Sequence, residues 1–186
     1  MIVEETTLPG VLEIKPRLFG DERGVFLETW RQERYEAYGI GPRFVQANTS
    51  RSGRGVLRGL HYQWPEPQGK LVWVSSGRVL DVAVDIRPDS PHFRQWVACE
   101  LDAEQLNQLW VPEGFAHGFV VLSETATFNY LCTRPYRGEQ DRGIAWNDPD
   151  LAVDWRVSTP ELSGKDAQAP RLVDIDPQDL PTCASC

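Results

Sequence analysis

Apolar residues alternate with small or polar ones along much of the chain, with a period of two. In the clearest stretch, residues 70–87, the even positions from 80 to 86 are apolar and the odd positions from 81 to 87 are small or charged. Such alternation predicts a strand that is buried on one face. The Ser76-Gly77 pair inside this stretch predicts a hairpin turn.

Clusters of proline, glycine, asparagine and aspartate separate several further strand-like runs, for example at residues 87–91, 111–114 and 147–150. Helical patterning is confined to residues 31–38 and 102–107. Many short strands with such spacing indicate an all-β protein, and we expect a cupin-type jelly-roll barrel with a few short helices. The other predicted strands are Phe44–Asn48, Gln95–Leu101, Gln108–Val111, Gly118–Leu122 and Ala126–Thr133.

The length of 186 residues predicts a single domain over residues 1–186. A hydrophobic fraction of 41% with 25% charged residues is typical of a globular protein and argues against disorder. Residues 158–186 are rich in proline and aspartate. They predict a C-terminal arm packed on the barrel, with a loose tail from about residue 171.

The formal net charge of −8 changes the list of expected partners. An acidic chain has no general reason to bind nucleic acid or an anionic membrane, so an anionic ligand would need a local cluster of arginine and lysine. No apolar run is long enough to span a bilayer, and the first residues lack the basic and apolar regions of a secretory signal. We therefore expect a cytoplasmic protein.

The four cysteines do not resemble a disulfide framework. Cys99 and Cys132 lie in apolar runs, where a small buried thiol is usual. Cys183 and Cys186 form a C-x-x-C pair near the C-terminus, but no second ligand pair or βαβ context accompanies it. This usage favours a reduced intracellular protein.

Three histidines are candidates for chemistry. His92 lies in a turn, whereas His61 and His117 lie in segments punctuated by glycine. Alone, either of these two would more often be a hydrogen-bonded structural histidine than a catalytic one, but two in such segments favour chemistry. The run Pro112-x-Gly114-x-x-His117 matches the second half of the cupin signature. Metal-binding cupins supply a His-x-His pair and a glutamate on the earlier strand.

The earlier segment here is His61-Tyr62-Gln63, which lacks the second histidine and the acid. Three nitrogen or oxygen ligands are the minimum for a tightly held catalytic metal. We therefore expect a barrel with no metal and no cofactor, in which a histidine serves acid–base chemistry.

Other ionisable residues have both a functional and a structural interpretation. Lys70 would stabilise an oxyanion if it points inward, or it is an exposed edge lysine. Tyr130 shares a strand face with Phe128, which predicts a hydroxyl inside the barrel or a core tyrosine. Asp166 lies three residues after Ser163, as in a helix capping box. Arginines near glycines, such as Arg23 and Arg58, indicate a phosphate site or a solvated surface.

Several motifs occur in one order along the chain. They include Gly-Val-Leu-Arg-Gly-Leu-His-Tyr-Gln at 55–63, Gln-Leu-Trp-Val-Pro-Glu-Gly-Phe-Ala-His-Gly-Phe at 108–119 and Leu-Ser-Gly-Lys-Asp at 162–166. With shorter runs at 21–28 and 44–50, they resemble the dTDP-4-dehydrorhamnose 3,5-epimerase family, the metal-free cupins of dTDP-L-rhamnose biosynthesis. The resemblance extends from residue 19 to about residue 170.

The resemblance implies an isomerase that inverts C3 and C5 of a 4-keto-6-deoxyhexose attached to dTDP, within carbohydrate biosynthesis for cell-surface polymers such as lipopolysaccharide O-antigen. Both protons lie α to the ketone, so removal of either gives an enolate, and a new proton arrives on the opposite face. The resemblance also implies a homodimer in which an N-terminal strand crosses to the partner.

The family's functional residues map onto named positions. By this resemblance His61 would be the general base, oriented by Asp166. Lys70 would stabilise the enolate oxygen, and Tyr130 would donate a proton from the opposite face. Asp141 stands where the family has glutamate, and Asp81 would support His117. The implied substrate-binding residues are Arg23, Glu28, Gln46, Ala47, Asn48, Arg58, Lys70, His117, Asp141 and Lys165.

Three alternatives remain open at this stage. The chain could invert a single centre of another dTDP-4-keto-deoxysugar, although Tyr130 favours the full reaction. The cupin-like run ending at His117 also permits a metal-dependent cupin. A non-catalytic sugar-binding β-sandwich would use the aromatic residues as stacking platforms.

Overall fold

The protein consists of two antiparallel β-sheets that face each other, as seen in a computed structural model that describes residues 1–41 and 43–185. This architecture confirms the all-β jelly-roll prediction. Within those residues no helix is long or apolar enough to span a bilayer. The strands are β1 Ile2–Glu5, β2 Leu12–Lys15, β3 Leu18–Asp21, β4 Gly24–Leu27, β5 Gln46–Gly53, β6 Leu57–Gln63, β7 Lys70–Ser76, β8 Arg78–Asp85, β9 Trp96–Asp102, β10 Gln108–Val111, β11 Phe115–Val121, β12 Thr125–Cys132 and β13 Asp141–Gly143.

The first sheet has the strand order β1-β2-β10-β7-β12-β5 and the second has the order β13-β6-β11-β8-β9. Strands β3 and β4 form a separate two-stranded hairpin. The helices are short, as expected: α1 is Gln32–Glu36 and α2 is Gly164–Ala167. Single 3-10 turns occur at Gly138–Gln140, Leu172–Asp174, Pro177–Asp179 and Cys183–Ser185.

The space between the sheets is filled by alternate residues of the facing strands, as the period of two requires. Val72 and Val74 of β7 pack there with Ala83 of β8, Phe119 of β11 and Phe128 of β12. The Phe119 and Phe128 rings stack with centroids 3.9 Å apart. Burial of these apolar side chains stabilises the barrel and leaves its polar residues gathered in the cavity described below.

The predicted hairpin at Ser76-Gly77 is wrong, because β7 and β8 belong to different sheets. Gly77 instead turns the chain from one sheet to the other with a φ of +76°. A Cβ at this position would lie 2.0 Å from the carbonyl oxygen of Thr125, so the close approach requires glycine.

Strand β8 is buried on both faces, whereas its alternation predicted burial on one. Its odd positions face the barrel interior, and its even positions, such as Val82 and Val84, pack beneath the C-terminal segment. Small and acidic residues such as Asp81 are therefore interior groups of the barrel. Alternation alone could not distinguish a buried polar cavity from solvent.

The C-terminal segment packs on the outer face of the second sheet as the predicted arm, but its packed part extends beyond residue 171. Leu172 and Leu180 are each 3% exposed and belong to the cluster on the outer face of β8. These isolated leucines among proline and aspartate bury enough apolar area to hold the segment down, which corrects the expected loose tail. Cys183 donates its backbone N–H to Asp89 over 2.9 Å, and Cys186 lies outside the described residues.

The helix predicted over residues 31–38 is confirmed as α1, but the one predicted over 102–107 is wrong. There the Asp102 carboxylate accepts the Glu104 N–H over 2.8 Å, and the Asn107 amide oxygen accepts the Asp102 N–H over 3.0 Å. These short polar side chains compete with the helical backbone bonds, and a turn results.

Candidate active site

A cavity of about 620 Å³ lies between the sheets and opens to solvent. The sequence motifs reach it from five separate parts of the chain: β5, β6, β7, the β11–β12 pair and the segment from β13 to α2. Glycine permits this at β6, because a Cβ on Gly59 would lie 2.6 Å from the Cα of Gly118 in β11. Eight of the predicted site residues line the cavity, namely Arg58, His61, Lys70, His117, Tyr130, Asp141, Lys165 and Asp166.

His61 and Asp166 form the central pair of the cavity. The His61 Nε2 and the Asp166 Oδ1 are 2.5 Å apart, and Asp166 is only 5% exposed. Ser163 caps the first turn of α2 by accepting the Asp166 N–H, which fixes the carboxylate in place. If Nε2 carries the proton that bonds to the carboxylate, Nδ1 of the neutral ring is the nitrogen that can accept a proton.

The pKa of Asp166 supports the role of His61 as the group that accepts a proton. Burial disfavours an ionised Asp166, but the hydrogen bond and charge of His61, together with the Ser163 hydrogen bond and the charge of Lys165, lower the pKa of the carboxyl below its usual value. Asp166 is therefore a carboxylate at neutral pH. It stabilises a positive charge that forms on His61 when the imidazole accepts a proton.

Lys70 and Tyr130 lie on neighbouring strands and face the same cavity. Lys70 is opposite Cys132 in the β7–β12 register, and Tyr130 is opposite Val72. Burial lowers the pKa of Lys70, and the nearby Cys132, Asp141 and Asp81 oppose that shift. Burial raises the pKa of Tyr130, so its phenol keeps its proton at neutral pH.

A second histidine–carboxylate pair lies beside the first. The His117 Nε2 is 2.9 Å from Oδ1 and 3.0 Å from Oδ2 of Asp81, whose side chain is fully buried. His117 pairs with His61 in the β6–β11 register and stacks on Phe128 with ring centroids 6.2 Å apart. Asp81 thus supports His117 as expected and fixes its ring in the cavity wall.

Arg58 has its guanidinium oriented by Ser52, a residue that the sequence did not single out. The Ser52 hydroxyl oxygen accepts from Nε over 3.2 Å and from Nη2 over 3.1 Å. A hydroxyl leaves the positive charge of the arginine uncompensated. Arg58 is therefore suited to bind an anionic ligand that enters the cavity.

A smaller compartment of about 270 Å³ adjoins the main cavity and shares His61, Lys70, Tyr130 and Asp141 with it. Its remaining lining is rich in side-chain amides, including those of Gln46 and Asn48. Sequence inspection missed Tyr136, Gln63 and Cys132, which also line it. No sequence pattern marks Tyr136 as a site residue. It is identified only by its contact in the structure, where its hydroxyl donates to Asp141 over 2.9 Å.

Three of the predicted binding residues lie apart from the cavity within one chain. Arg23 is in the β3–β4 hairpin and is ion-paired with Asp21 over 2.5 Å. Glu28 follows the hairpin, 3.1 Å from Arg34. Ala47 belongs to β5 but is exposed, because alternation places it on the opposite face from Gln46 and Asn48.

In the part of the chain that is described, no three histidine, cysteine, aspartate or glutamate side chains gather as a group that could hold a metal ion. The histidines of the cavity each contact one carboxylate instead. This arrangement provides a general base, cationic groups and a phenol around one space. It is suited to moving protons on a bound, negatively charged molecule.

Comparisons with known proteins agree with this chemistry. Residues 5–174 match the family model described as dTDP-4-dehydrorhamnose 3,5-epimerase. The enzyme of that name from Pseudomonas aeruginosa is 53% identical over 171 residues, which cover 91% of this chain and 94% of the relative. The Shigella flexneri enzyme is 51% identical, over 95% of this chain and 98% of its own length.

Solved structures show the same similarity. The dTDP-6-deoxy-D-glucose-3,5-epimerase of Legionella pneumophila, crystallised with dTDP-4-keto-L-rhamnose, is 50% identical and superposes with a TM-score of 0.95 over 97% of both chains. A 3'-monoepimerase from Streptomyces bikiniensis, in complex with dTDP-quinovose, is 33% identical with a TM-score of 0.90, covering 97% of this chain and 93% of its own.

Proposed function

The chain belongs to the dTDP-4-dehydrorhamnose 3,5-epimerase family of isomerases, and from this membership we propose that it converts dTDP-4-dehydro-6-deoxy-D-glucose into dTDP-4-dehydro-L-rhamnose in dTDP-L-rhamnose biosynthesis. The observation that carries the proposal is the His61–Asp166 pair, which shares one cavity with Lys70 and Tyr130. α-Epimerisation of a ketone requires a base, a group that stabilises the enolate oxygen and a proton donor, and the histidine, the lysine and the phenol can fill these roles.

The first step is proton removal next to the C4 ketone. The free ring nitrogen of His61 takes the proton from carbon, and the carboxylate of Asp166 stabilises the imidazolium that forms. The electron pair of the broken C–H bond moves to the carbonyl oxygen as an enolate. The Lys70 ammonium donates a hydrogen bond to that oxygen, where negative charge develops.

The second step returns a proton to the opposite face of the ring. The Tyr130 phenol, which its raised pKa keeps protonated, gives its proton to C5, and the enolate collapses to the ketone with the inverted centre. The phenolate regains a proton from water, and His61 releases its own to solvent. At C3 the same base removes the proton, the electron pair again moves to the carbonyl oxygen, and a proton from solvent water on the opposite face gives the doubly inverted product.

Binding of the nucleotide part follows from the charges and amides of the site. Arg58, together with Arg23, would bind the diphosphate. The planar guanidinium carries a positive charge, and its N–H groups can donate two hydrogen bonds to one phosphate. The amides of Gln46 and Asn48 would contact the nucleoside, with Ala47 and Glu28 beside them. His117, Lys165 and Asp141 would line the sugar, and the ammonium of Lys165 is ion-paired with Asp141.

The positions of Arg23 and Glu28 support a homodimer. The β3–β4 hairpin, which carries Arg23 and is followed by Glu28, pairs with no other strand of the described chain, and it leaves Phe19 48% exposed and Phe26 71% exposed. Exposed aromatic residues of this size indicate an interaction surface. In a dimer the hairpin would enter the second chain's site and bring the partner's arginine to the diphosphate.

We expect a dimer mass in sedimentation equilibrium at micromolar concentration. A Phe26→Ser variant should raise the Kd of the dimer about tenfold, because it removes apolar area that the dimer would bury. Exposed Tyr38→Ser serves as the control. A monomeric wild type would contradict the dimer.

The single domain proposed for residues 1–186 predicts one unfolding transition, and two separated transitions would contradict it. The proposed cytoplasmic location, supported by the free thiols of Cys99, Cys132 and Cys183, is tested by cell fractionation.

Solvent exchange tests the reaction itself. In D₂O the wild type is expected to place deuterium at both C3 and C5 of the product, as detected by NMR. A Tyr130→Phe variant should retain exchange at C3 but lose about 100-fold of the inversion at C5, because it lacks the proton donor. Absence of label at both carbons in the wild type would reject the epimerase proposal, and label at C3 alone would favour a single-centre epimerase.

A further inference from the structure

Side-chain amides hold the loop that follows β12. Gln46 Oε1 accepts the N–H of Tyr136 over 2.7 Å, and Gln68 Nε2 donates to the carbonyl of Arg134 over 2.7 Å. Gln63 binds the backbone of residues 135 and 137. The backbone groups of residues 134–137 therefore find partners in side chains from β5, β6 and the segment after β6. Ladder bonds, which end at Cys132, play no part here.

Gln63 makes the largest share of these contacts. Its Oε1 accepts the N–H of Arg137 over 2.9 Å, and its Nε2 donates to the carbonyls of Pro135 over 3.3 Å and Glu66 over 2.6 Å. The residue is 4% exposed and lies two positions after His61 on the same strand face. An amide with both donors and its acceptor in use is fixed in orientation, and it fixes its partners in return.

The held loop places Tyr136 at the smaller compartment. This ring is 56% exposed but lines the compartment, and its hydroxyl donates to Asp141. An exposed aromatic ring on a loop would sample several positions unless its backbone were restrained. The bonds from Gln63 bracket Tyr136 on both sides, at Pro135 and Arg137.

We propose that Gln63 is a positioning residue for the nucleotide sugar: by binding the backbone on either side of Tyr136, it holds that ring in place as a wall of the substrate site before the ligand arrives. The inference rests on the proposed function. Pre-organisation of this kind lowers the cost of binding and leaves the chemical step unchanged. Gln63 stands where metal-binding cupins have the second histidine of the His-x-His pair. In this chain, the residue at that position holds a loop.

A Gln63→Met variant tests this role, since methionine keeps the length of the side chain and removes the three hydrogen bonds. We expect KM for dTDP-4-dehydro-6-deoxy-D-glucose and Kd for dTDP to rise about tenfold, with kcat within about twofold. The matched control is Gln95→Met, an exposed glutamine of the turn before β9, for which both constants should stay unchanged. If the methionine variant fails to fold, Gln63→Asn keeps an amide but is one methylene shorter, so it cannot hold all three partners and should also raise KM and Kd.

A double variant separates positioning from general destabilisation. Once Tyr136→Ala has removed the ring, adding Gln63→Met should change KM and Kd by less than about twofold, because Gln63 acts through that ring. Additive effects, unchanged KM in Gln63→Met, or a fall in kcat alone would overturn the proposal. A wild type that binds dTDP but exchanges no proton would refute the proposed function instead, so the two failures are distinguishable.

Discussion

Replacing His61 with asparagine is expected to lower kcat about 1000-fold, the largest effect of any single substitution at this site. Asparagine ends at the position of Nδ1, so it loses the bond that places Nε2 2.5 Å from the Asp166 Oδ1, and it has no nitrogen that accepts a proton from carbon. Both inversions begin with that proton, so exchange at C3 and C5 should fall together.

The measurement is stopped-time NMR in D₂O, with each carbon followed separately. His92→Asn is the matched control, because His92 is in a turn and interacts with Gln95 rather than with the cavity; its kcat should equal that of the wild type. Binding of dTDP to the His61 variant should stay within about threefold of wild type, which would show that the site is intact. A loss confined to one carbon would mean that a different base serves the other.

Much of this site was predictable because its chemistry is encoded in local motifs. Glycines at 59 and 118 mark the close approach of β6 to β11, and the histidines beside them project into one cavity. The Ser163-x-x-Asp166 spacing predicted a capped turn, and the turn delivers its carboxylate to His61. The function of these segments came from their resemblance to a family, whereas the period of two established only that they are strands.

Other features depend on contacts between distant parts of the chain. Alternation assigns each side chain of a strand to one of two faces but does not say which sheet a strand joins, so the crossing at Gly77 was mistaken for a hairpin. It also does not say what covers a face, and the leucines at 172 and 180 proved to cover β8. The bond of Gln63 to Arg137 joins residues 74 positions apart.

The positions of Arg23 and Glu28 illustrate a further limit. The sequence places them with the binding residues through resemblance alone, and one chain leaves them on or beside an exposed hairpin. The periodicity of a sequence carries no information on whether a second copy of the chain contributes residues to a cavity. The proposed dimer accounts both for the exposure of Phe26 and for the position of Arg23 away from the cavity of its own chain. One sedimentation experiment therefore tests both.

Replacing Lys70 with methionine is expected to lower kcat by about 100- to 1000-fold, because the enolate oxygen loses the cation that stabilises it. Methionine has nearly the same length and is apolar, so burial at this position costs it less than it costs an ammonium. The unfolding midpoint in urea should therefore be no lower than in the wild type. Loss of activity at undiminished stability would identify the defect as electrostatic.

The pH dependence provides a second test of Lys70. Because burial lowers the pKa of Lys70 below its usual 10.5, raising the pH neutralises the ammonium earlier than in an exposed lysine. The wild-type kcat should fall along that alkaline limb as the ammonium is lost. Burial raises the pKa of Tyr130, so its phenol keeps its proton to a higher pH than that of an exposed tyrosine. In Lys70→Arg the guanidinium stays charged, so the residual activity should lack this limb. A limb of the same midpoint in the arginine variant would assign it to another group, and a Lys70→Met enzyme within tenfold of wild type would remove the lysine from the mechanism.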